Sequence, residues 1–193
     1  MDKKIKLAHT IILIDAAYLN FMLINMKDFL EHQLGRKLEA VSMADLITYI
    51  SQDAEINEGG KEVQVIFISD DSKFKFSHVT PSRLSNELDG VAFKSTIGEF
   101  IFSSVFTEGM VSREELFLDV LSIALDSKDV KKLVILSFDD EYGGEVMKKV
   151  NHEDVKQEII QFRMRQPETK TKIKWDMLVF PLMKAFGVSG DEI

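Results

Sequence analysis

Cysteine is absent from this chain of 193 residues. Its absence excludes a disulfide framework and a zinc site built on thiolates, and it favours a reducing compartment. Only four histidines occur, and they show no ligand-like spacing. No uncharged apolar run approaches the roughly eighteen residues needed to cross a bilayer. We therefore predict a cytoplasmic protein that has no membrane-spanning segment.

Positive charge is in deficit, with 24 Lys and Arg against 32 Asp and Glu and a formal net charge of −8. Broad, sequence-independent attraction to nucleic acid depends on neutralising phosphates, so any such contact must be local. Hydrophobic residues make up 45% and charged residues 29% of the chain, the ordinary globular mixture. The length favours one domain over residues 1–193.

Several familiar motifs are also missing. No Gly-x-Gly-x-x-Gly follows the first apolar run, and no phosphate loop ends in Gly-Lys-Ser/Thr. Nucleotide cofactors are therefore not indicated. Neither a Gly-x-Ser-x-Gly elbow nor a cysteine nucleophile is present, which removes the usual parts of covalent acyl chemistry.

Short apolar runs alternate with helical patterns along the chain. Runs at 10–14, 63–68 and 133–136 are typical of strands buried on both faces of a parallel sheet, and 159–164 is predicted as the last strand. Apolar spacing predicts helices over 16–33 and 43–54, and a capping box at Ser112–Glu115 begins another. This alternation predicts a three-layer α/β sandwich with a mainly parallel central sheet and Rossmann-like topology.

Two regions are harder to interpret. Residues 72–110 are aromatic-rich and interrupted by Pro81 and several glycines, so we predict an insertion containing a hairpin there. Residues 174–186 are predicted as a terminal helix that Pro181 kinks or divides.

Three of the apolar runs are followed by an acid, namely Asp15, Asp70 and Asp139. Ligands of open α/β sheets bind outside the carboxyl ends of the strands, so these side chains are expected at one edge. Crowded carboxylates repel one another unless they are protonated or bridged by a cation, and Mg²⁺ or Mn²⁺ suits oxygen ligands. The alternative is structural, because Asp often ends strands as a turn or cap residue.

The segment Ser137-Phe-Asp-Asp-Glu-Tyr142 resembles the Ser-Gly-Asp-Ser-Asp-Phe signature of NYN domains, a branch of the PIN-like nuclease superfamily. On this resemblance Ser137 and Asp139 match directly, and Glu141 stands for the second Asp. Phe138 replaces the family's Gly.

The start of the chain carries a second part of the resemblance. Asp15 matches the opening Asp of the family's Asp-x-x-Asn motif, but Tyr18 occupies the Asn position. The family also places an acid in the helix before the Ser-x-Asp strand. Here Asp119 is the candidate, and Glu115 is a weaker one because its capping role already explains it.

The resemblance implies a PIN-like fold and metal-dependent phosphodiester hydrolysis, usually of RNA. Asp15, Asp139 and Glu141 would hold Mg²⁺ or Mn²⁺, which orients and helps to ionise a water. Asp119 would complete the ligand set, and Ser137 would orient a ligand. The altered residues Tyr18 and Phe138 also allow an inactive derivative of such a nuclease.

A local basic segment before Trp175 could contact an RNA backbone, with Trp175 available for base stacking. Its basic residues are Arg163, Arg165, Lys170, Lys172 and Lys174. Glu168 and Asp176 dilute this charge, so a solvated strand end and loop is the competing interpretation.

Two other functions remain open. A non-catalytic interaction domain would use the aromatic-rich residues 74–106 as a homodimer or partner surface, and exposed aromatic side chains would favour it. A metal-dependent phosphatase would use the same acids and need no basic segment.

Overall fold

The computed structural model describes residues 7–57, 59 and 61–193, which form a three-layer α/β sandwich around a seven-stranded sheet. The strands of this sheet are β1 (Thr10–Asp15), β3 (Glu62–Ser69), β5 (Ala92–Lys94), β6 (Glu99–Phe106), β7 (Lys132–Leu136), β8 (Glu158–Arg163) and β9 (Lys174–Met177). Two shorter strands, β2 (Val41–Ser42) and β4 (Val79–Thr80), pair separately. The predicted fold class is confirmed.

Five α-helices flank the sheet. They are α1 (Ala16–Leu34), α2 (Met43–Asp53), α3 (Arg113–Asp126), α4 (Asp139–Val150) and α5 (Val179–Ala185). A π-helical turn at Leu84–Leu88 and a 3-10 turn at Gly190–Glu192 complete the helical elements of the described chain.

The strands lie in the order β5-β6-β3-β1-β7-β8-β9, and only β5 is antiparallel to its neighbour. Counted along the chain, the six parallel strands therefore follow the 3-2-1-4-5-6 order of doubly wound sheets. The direction of winding reverses between β1 and β7, and ligand clefts of such sheets form at this switch point.

The pleat of β1 divides the core into two layers. Ile12 and Ile14 pack with α1, α2 and α5 on one face, whereas Ile11 and Leu13 pack with α3 and α4 on the other. Every residue of β1 is buried. An apolar run without alternation is expected of such a strand, because both of its faces are covered.

Local capping fixes where the helices begin and end. Asp15 caps α1 by accepting the N–H of Tyr18 at 3.1 Å, and α1 ends at Gly35, whose positive φ of 63° favours glycine. Ser112 and Glu115 form the predicted capping box of α3, so the first residue of that helix is Arg113.

The prediction of an insertion over 72–110 is wrong at its second half. A hairpin is present, formed by β5 and β6, but β6 is a full strand of the central sheet that pairs in parallel with β3 along its length. Phe100 and Phe102 belong to this strand and are buried. In the sequence, the nearby glycines and aromatic residues obscured the alternating apolar pattern of this strand.

The prediction of a helix over 174–186 is also wrong in its first part. Residues 174–177 form the edge strand β9, parallel to β8, and the helix begins only at Val179. Pro181 lies in the first turn of α5, where the missing N–H would have no intrahelical partner in any case. It therefore accompanies the start of the helix and does not divide it.

Within the described part of the chain, no helix is long and apolar enough to span a membrane.

Candidate functional site

Asp15 ends β1 and lies completely buried at the carboxyl edge of the sheet. Its Oδ1 caps α1, and its Oδ2 accepts two further hydrogen bonds. Arg113 Nε donates at 2.9 Å and the Tyr142 hydroxyl donates at 2.5 Å. A buried carboxylate requires such partners, because an unpaired charge away from water is costly.

The guanidinium of Arg113 is the centre of this arrangement. Besides Asp15, it binds Asp70 Oδ2 through Nη1 at 2.8 Å and Glu141 Oε2 through Nη2 at 2.5 Å. Three carboxylates, one at the end of β1, one directly after β3 and one in the first turn of α4, therefore converge on one cation. We call Asp15, Asp70, Glu141 and Arg113 the Arg113 cluster.

Electrostatics keep this cation charged. Burial alone would lower the pKa of the Arg113 guanidinium, but the charges and hydrogen bonds of Asp15, Asp70 and Glu141 raise it overall above its ordinary value. Phe138 makes a cation–π contact with Arg113, because the guanidinium carbon lies 5.9 Å from the centre of its ring.

Tyr142 contributes a protonated hydroxyl donor. Burial, followed by the negative charge of Asp15, raises the pKa of its hydroxyl above the ordinary value. Its backbone is non-helical within α4, with φ of −143°, and its ring packs 5.4 Å from that of Phe117. The kink places Tyr142 on the α3 side of the sheet, where it reaches Asp15.

Asp139 belongs to a second network. Its Oδ1 accepts hydrogen bonds from Ser137 Oγ and Gln161 Nε2, both at 2.9 Å. Its Oδ2 lies 3.0 Å from Arg163 Nε, outside the angles of a hydrogen bond. We call Ser137, Asp139, Gln161 and Arg163 the Asp139 cluster. Burial raises the pKa of the Asp139 carboxyl, and the charge of Arg163 only partly opposes this.

The predicted ligands Asp15 and Asp139 therefore have different partners. Glu141 joins Asp15 at Arg113, while Asp139 binds Ser137 and faces Arg163. Among the residues that the structure describes, no group of three or more His, Cys, Asp or Glu side chains is arranged to hold a metal ion.

The other residues singled out in the sequence are spread over this edge. Tyr18 is buried, and its ring packs 5.4 Å from Phe138. Burial, followed by the charge of Asp139, raises the pKa of the Tyr18 hydroxyl. Asp119 is exposed on α3, six residues and about 9 Å along the helix axis from Arg113. Glu115 is engaged in its capping box.

The basic segment is largely neutralised by its own neighbours. Arg163 faces Asp139, Arg165 pairs with Asp140, and Lys174 pairs with Glu158 at 3.0 Å. Lys170 and Lys172 are exposed on the loop after β8. The aromatic residues expected to form a partner surface mostly face inward, since Phe76, Phe100 and Phe102 are all buried.

A cleft of about 690 Å³ opens between α1 and α4 at the switch point. Its lining comprises Tyr18, Phe21 and Met22 from α1, Phe138 and Asp139 at the start of α4, and Arg163 and Arg165 from β8 and the loop after it. Its volume lies in the usual range of small-molecule sites. The cleft and the Arg113 cluster thus occupy neighbouring parts of one sheet edge.

Sequence reasoning missed Arg113, Gln161 and Phe21. Arg113 lies inside the capping box, and its place at the first position of a helix after β6 was the available signal. Gln161 interrupts an otherwise apolar strand, which marks a buried polar group with a specific partner. Nothing in the pattern of α1 distinguishes Phe21 from other apolar residues.

The whole length of the described fold lies within one family. A model of a family of unknown function, DUF6621, matches residues 4–193. The chain belongs to the DUF6621 family. No curated protein and no solved structure matches it.

Proposed function

We propose that this DUF6621 protein is an inactive derivative of the metal-dependent PIN-like nucleases that it resembles, retained as a binding domain. One observation carries the proposal: the Arg113 guanidinium binds three acids, Asp15, Asp70 and Glu141, through its three nitrogens. Two of these acids, Asp15 and Glu141, are among the three that the resemblance assigns to the metal, and the third predicted ligand, Asp139, faces Arg163 instead.

Electrostatics support this interpretation. Arg113 already supplies the positive charge that offsets the carboxylates, and it cannot lose that charge by deprotonation. A divalent ion approaching Asp15 would be repelled by the guanidinium and would have to displace it. The fully buried Asp15 also binds Tyr142, which leaves few lone pairs for a metal.

The altered signature residues support the same proposal. Phe138, in the place of the family's Gly, contacts the rings of Tyr18 and Phe21 at 5.4 and 5.6 Å and lies beside Arg113. Tyr18, in the place of the family's Asn, is buried. Both substitutions bring apolar rings to an edge where metal ligands and water would otherwise lie.

Thermal melting with and without Mn²⁺ or Mg²⁺ tests the proposal. We expect no metal-dependent stabilisation of the wild-type protein. We expect Arg113→Ala to gain such stabilisation with Mn²⁺, because its three carboxylates lose their cation, and a ligand at about 100 times its Kd stabilises by roughly 2.7 kcal/mol. Arg165→Ala is the matched control, since its partner Asp140 is a single exposed acid.

Activity measurements complete the test. Wild-type protein is incubated with single-stranded RNA and, separately, with a generic phosphomonoester, each with Mn²⁺. The proposal predicts no turnover of either. Metal stabilisation of the wild type that disappears in Asp15→Asn, together with cleavage of RNA, would establish a nuclease instead; hydrolysis of the monoester alone would establish a phosphatase.

A further inference from the structure

The cleft between α1 and α4 has one wall of aromatic rings. Phe21 is 48% exposed, and its ring centre lies 5.6 Å from that of Phe138 with the planes inclined by 33°. Met22 and Met147 extend the apolar lining. Contact between an exposed aromatic ring in a cavity wall and another flat apolar group is favourable, because it buries the apolar surface of both.

The α4 side of the cleft is open. Gly144 is exposed and lines the cleft, and a Cβ atom placed there would meet no atom within 4 Å. Helix interiors disfavour glycine relative to alanine, so a glycine here has a cost in stability. The space that it leaves lets a planar group enter between the helices.

Arg163 provides a hydrogen-bond donor without a partner at the same cleft. Its side chain is only 14% exposed, and its Nε is buried with no hydrogen-bond partner among the described residues. A guanidinium in this state suits a carboxylate, which matches its donors two at a time.

The charge around Arg163 limits the ligand to a compact anion. Asp139 lies beside Arg163, and Asp140 pairs with Arg165, so the positive charges of the cleft are already balanced. The whole protein carries a net charge of −8. A polyanion such as RNA or a nucleoside triphosphate would meet repulsion here, whereas a single carboxylate would not need excess positive charge.

We propose that this cleft binds a small planar aromatic molecule that bears one carboxylate, with its ring against Phe21 and Phe138 and its carboxylate on Arg163. The site is separate from the Arg113 cluster. Its existence therefore does not depend on whether the protein binds metal.

Ligand-observed NMR with the full chain tests the proposal, using indole-3-acetate, 4-hydroxyphenylacetate and benzoate as probes at millimolar concentration. We expect saturable binding of at least one of them. Indole and acetate are the control ligands, and each should bind at least about tenfold more weakly than indole-3-acetate, because indole lacks the carboxylate for Arg163 and acetate lacks the ring for Phe21 and Phe138. Adenosine 5′-monophosphate tests a dianion.

Variants locate the binding. Phe21→Ala should weaken binding roughly three- to tenfold. Phe29→Ala, another exposed phenylalanine of α1 that does not line the cleft, should leave it unchanged. Arg163→Lys keeps the charge beside Asp139 but loses the planar fork, and it should weaken the carboxylate probes more than indole. No saturable binding by the three probes, preference for adenosine 5′-monophosphate, or equal effects of Phe21→Ala and Phe29→Ala would overturn the proposal.

Discussion

The Arg113 guanidinium and the Asp15 carboxylate lie 2.9 Å apart although 98 positions separate them along the chain. Asp15 caps α1 and Arg113 is the first residue of α3, so the pair joins helices from opposite faces of the sheet. A carboxylate with no exposed surface depends on such a partner, since removing one member of a buried ion pair leaves the other uncompensated.

Arg113→Ala is therefore expected to destabilise the fold by about 3 kcal/mol, because Asp15 would stay buried without a cation. Arg113→Lys should lose about half as much, since an ammonium is a point charge that cannot serve three carboxylates in the guanidinium geometry. Urea unfolding at neutral pH measures both free energies.

The comparison variant is Arg165→Ala, which removes an exposed pair with Asp140 and should change stability by less than about 1 kcal/mol. Equal losses in Arg113→Ala and Arg165→Ala would show that the Arg113 cluster contributes no more than a surface ion pair.

Much of the fold follows from the sequence because the strands at 10–15, 62–69 and 132–136 contain short, β-branched apolar runs, which are typical of buried parallel strands. The acidic edge also follows, since Asp15 and Asp70 come directly after or at the end of parallel strands. Strand β9 could not be predicted in this way. It has only four residues, Lys-Trp-Asp-Met, and it is defined by its pairing with β8.

Local sequence patterns could not predict which residues pair with these acids. Whether Asp15 faces a metal or an arginine depends on how α3 packs across the sheet, which is a tertiary contact that no spacing encodes. The same holds for Asp139, whose partners Gln161 and Arg163 are on the neighbouring strand β8. Acidic residues at strand ends therefore predict where a site lies, but not which cation it contains.

Asp139→Asn is expected to be at least as stable as the wild type at neutral pH. Burial raises the pKa of Asp139 above its ordinary value of 3.8, so ionising this carboxyl costs more in the folded than in the unfolded chain, and asparagine avoids that cost. The sign follows from linkage: the cost of the ionised carboxyl is fully present above its raised pKa and is relieved as pH falls through that pKa toward 3.8. Any advantage of the variant should therefore shrink on acidification.

Urea unfolding of both proteins at pH 7 and near pH 3.5 checks this, with the exposed neighbour Asp140→Asn as the control. A loss of about 1 kcal/mol or more in Asp139→Asn at pH 7 would contradict it and would mean that the charge facing Arg163 is needed for stability.

Phe138→Ala is expected to cost about 2 kcal/mol, because this ring contacts both Tyr18 and Phe21 and lies beside Arg113. The value is below that of a fully buried phenylalanine since Phe138 is only partly buried. Phe29→Ala removes an equally large ring that is 50% exposed, and it should change the free energy of unfolding by less than about 0.5 kcal/mol. Similar losses in the two variants would place the aromatic contacts outside the stabilising core.

Glu31 gives a prediction at the far end of α1. Its carboxylate accepts the backbone N–H of Leu38 at 2.9 Å and pairs with Lys27 and Lys37, which together lower its pKa to about 2. Because the folded pKa lies below the ordinary value of 4.5, the contribution to stability is complete above pH 4.5 and is lost as pH falls through about 2.

Glu31→Gln should therefore lower the Tm at pH 7, and the difference from the wild type should vanish near pH 2. Glu39→Gln, an exposed acid of the adjoining loop, should show no such pH-dependent difference. A Tm difference for Glu31→Gln that stays constant from pH 7 to pH 2 would mean that shape and not charge ties this helix end to Leu38.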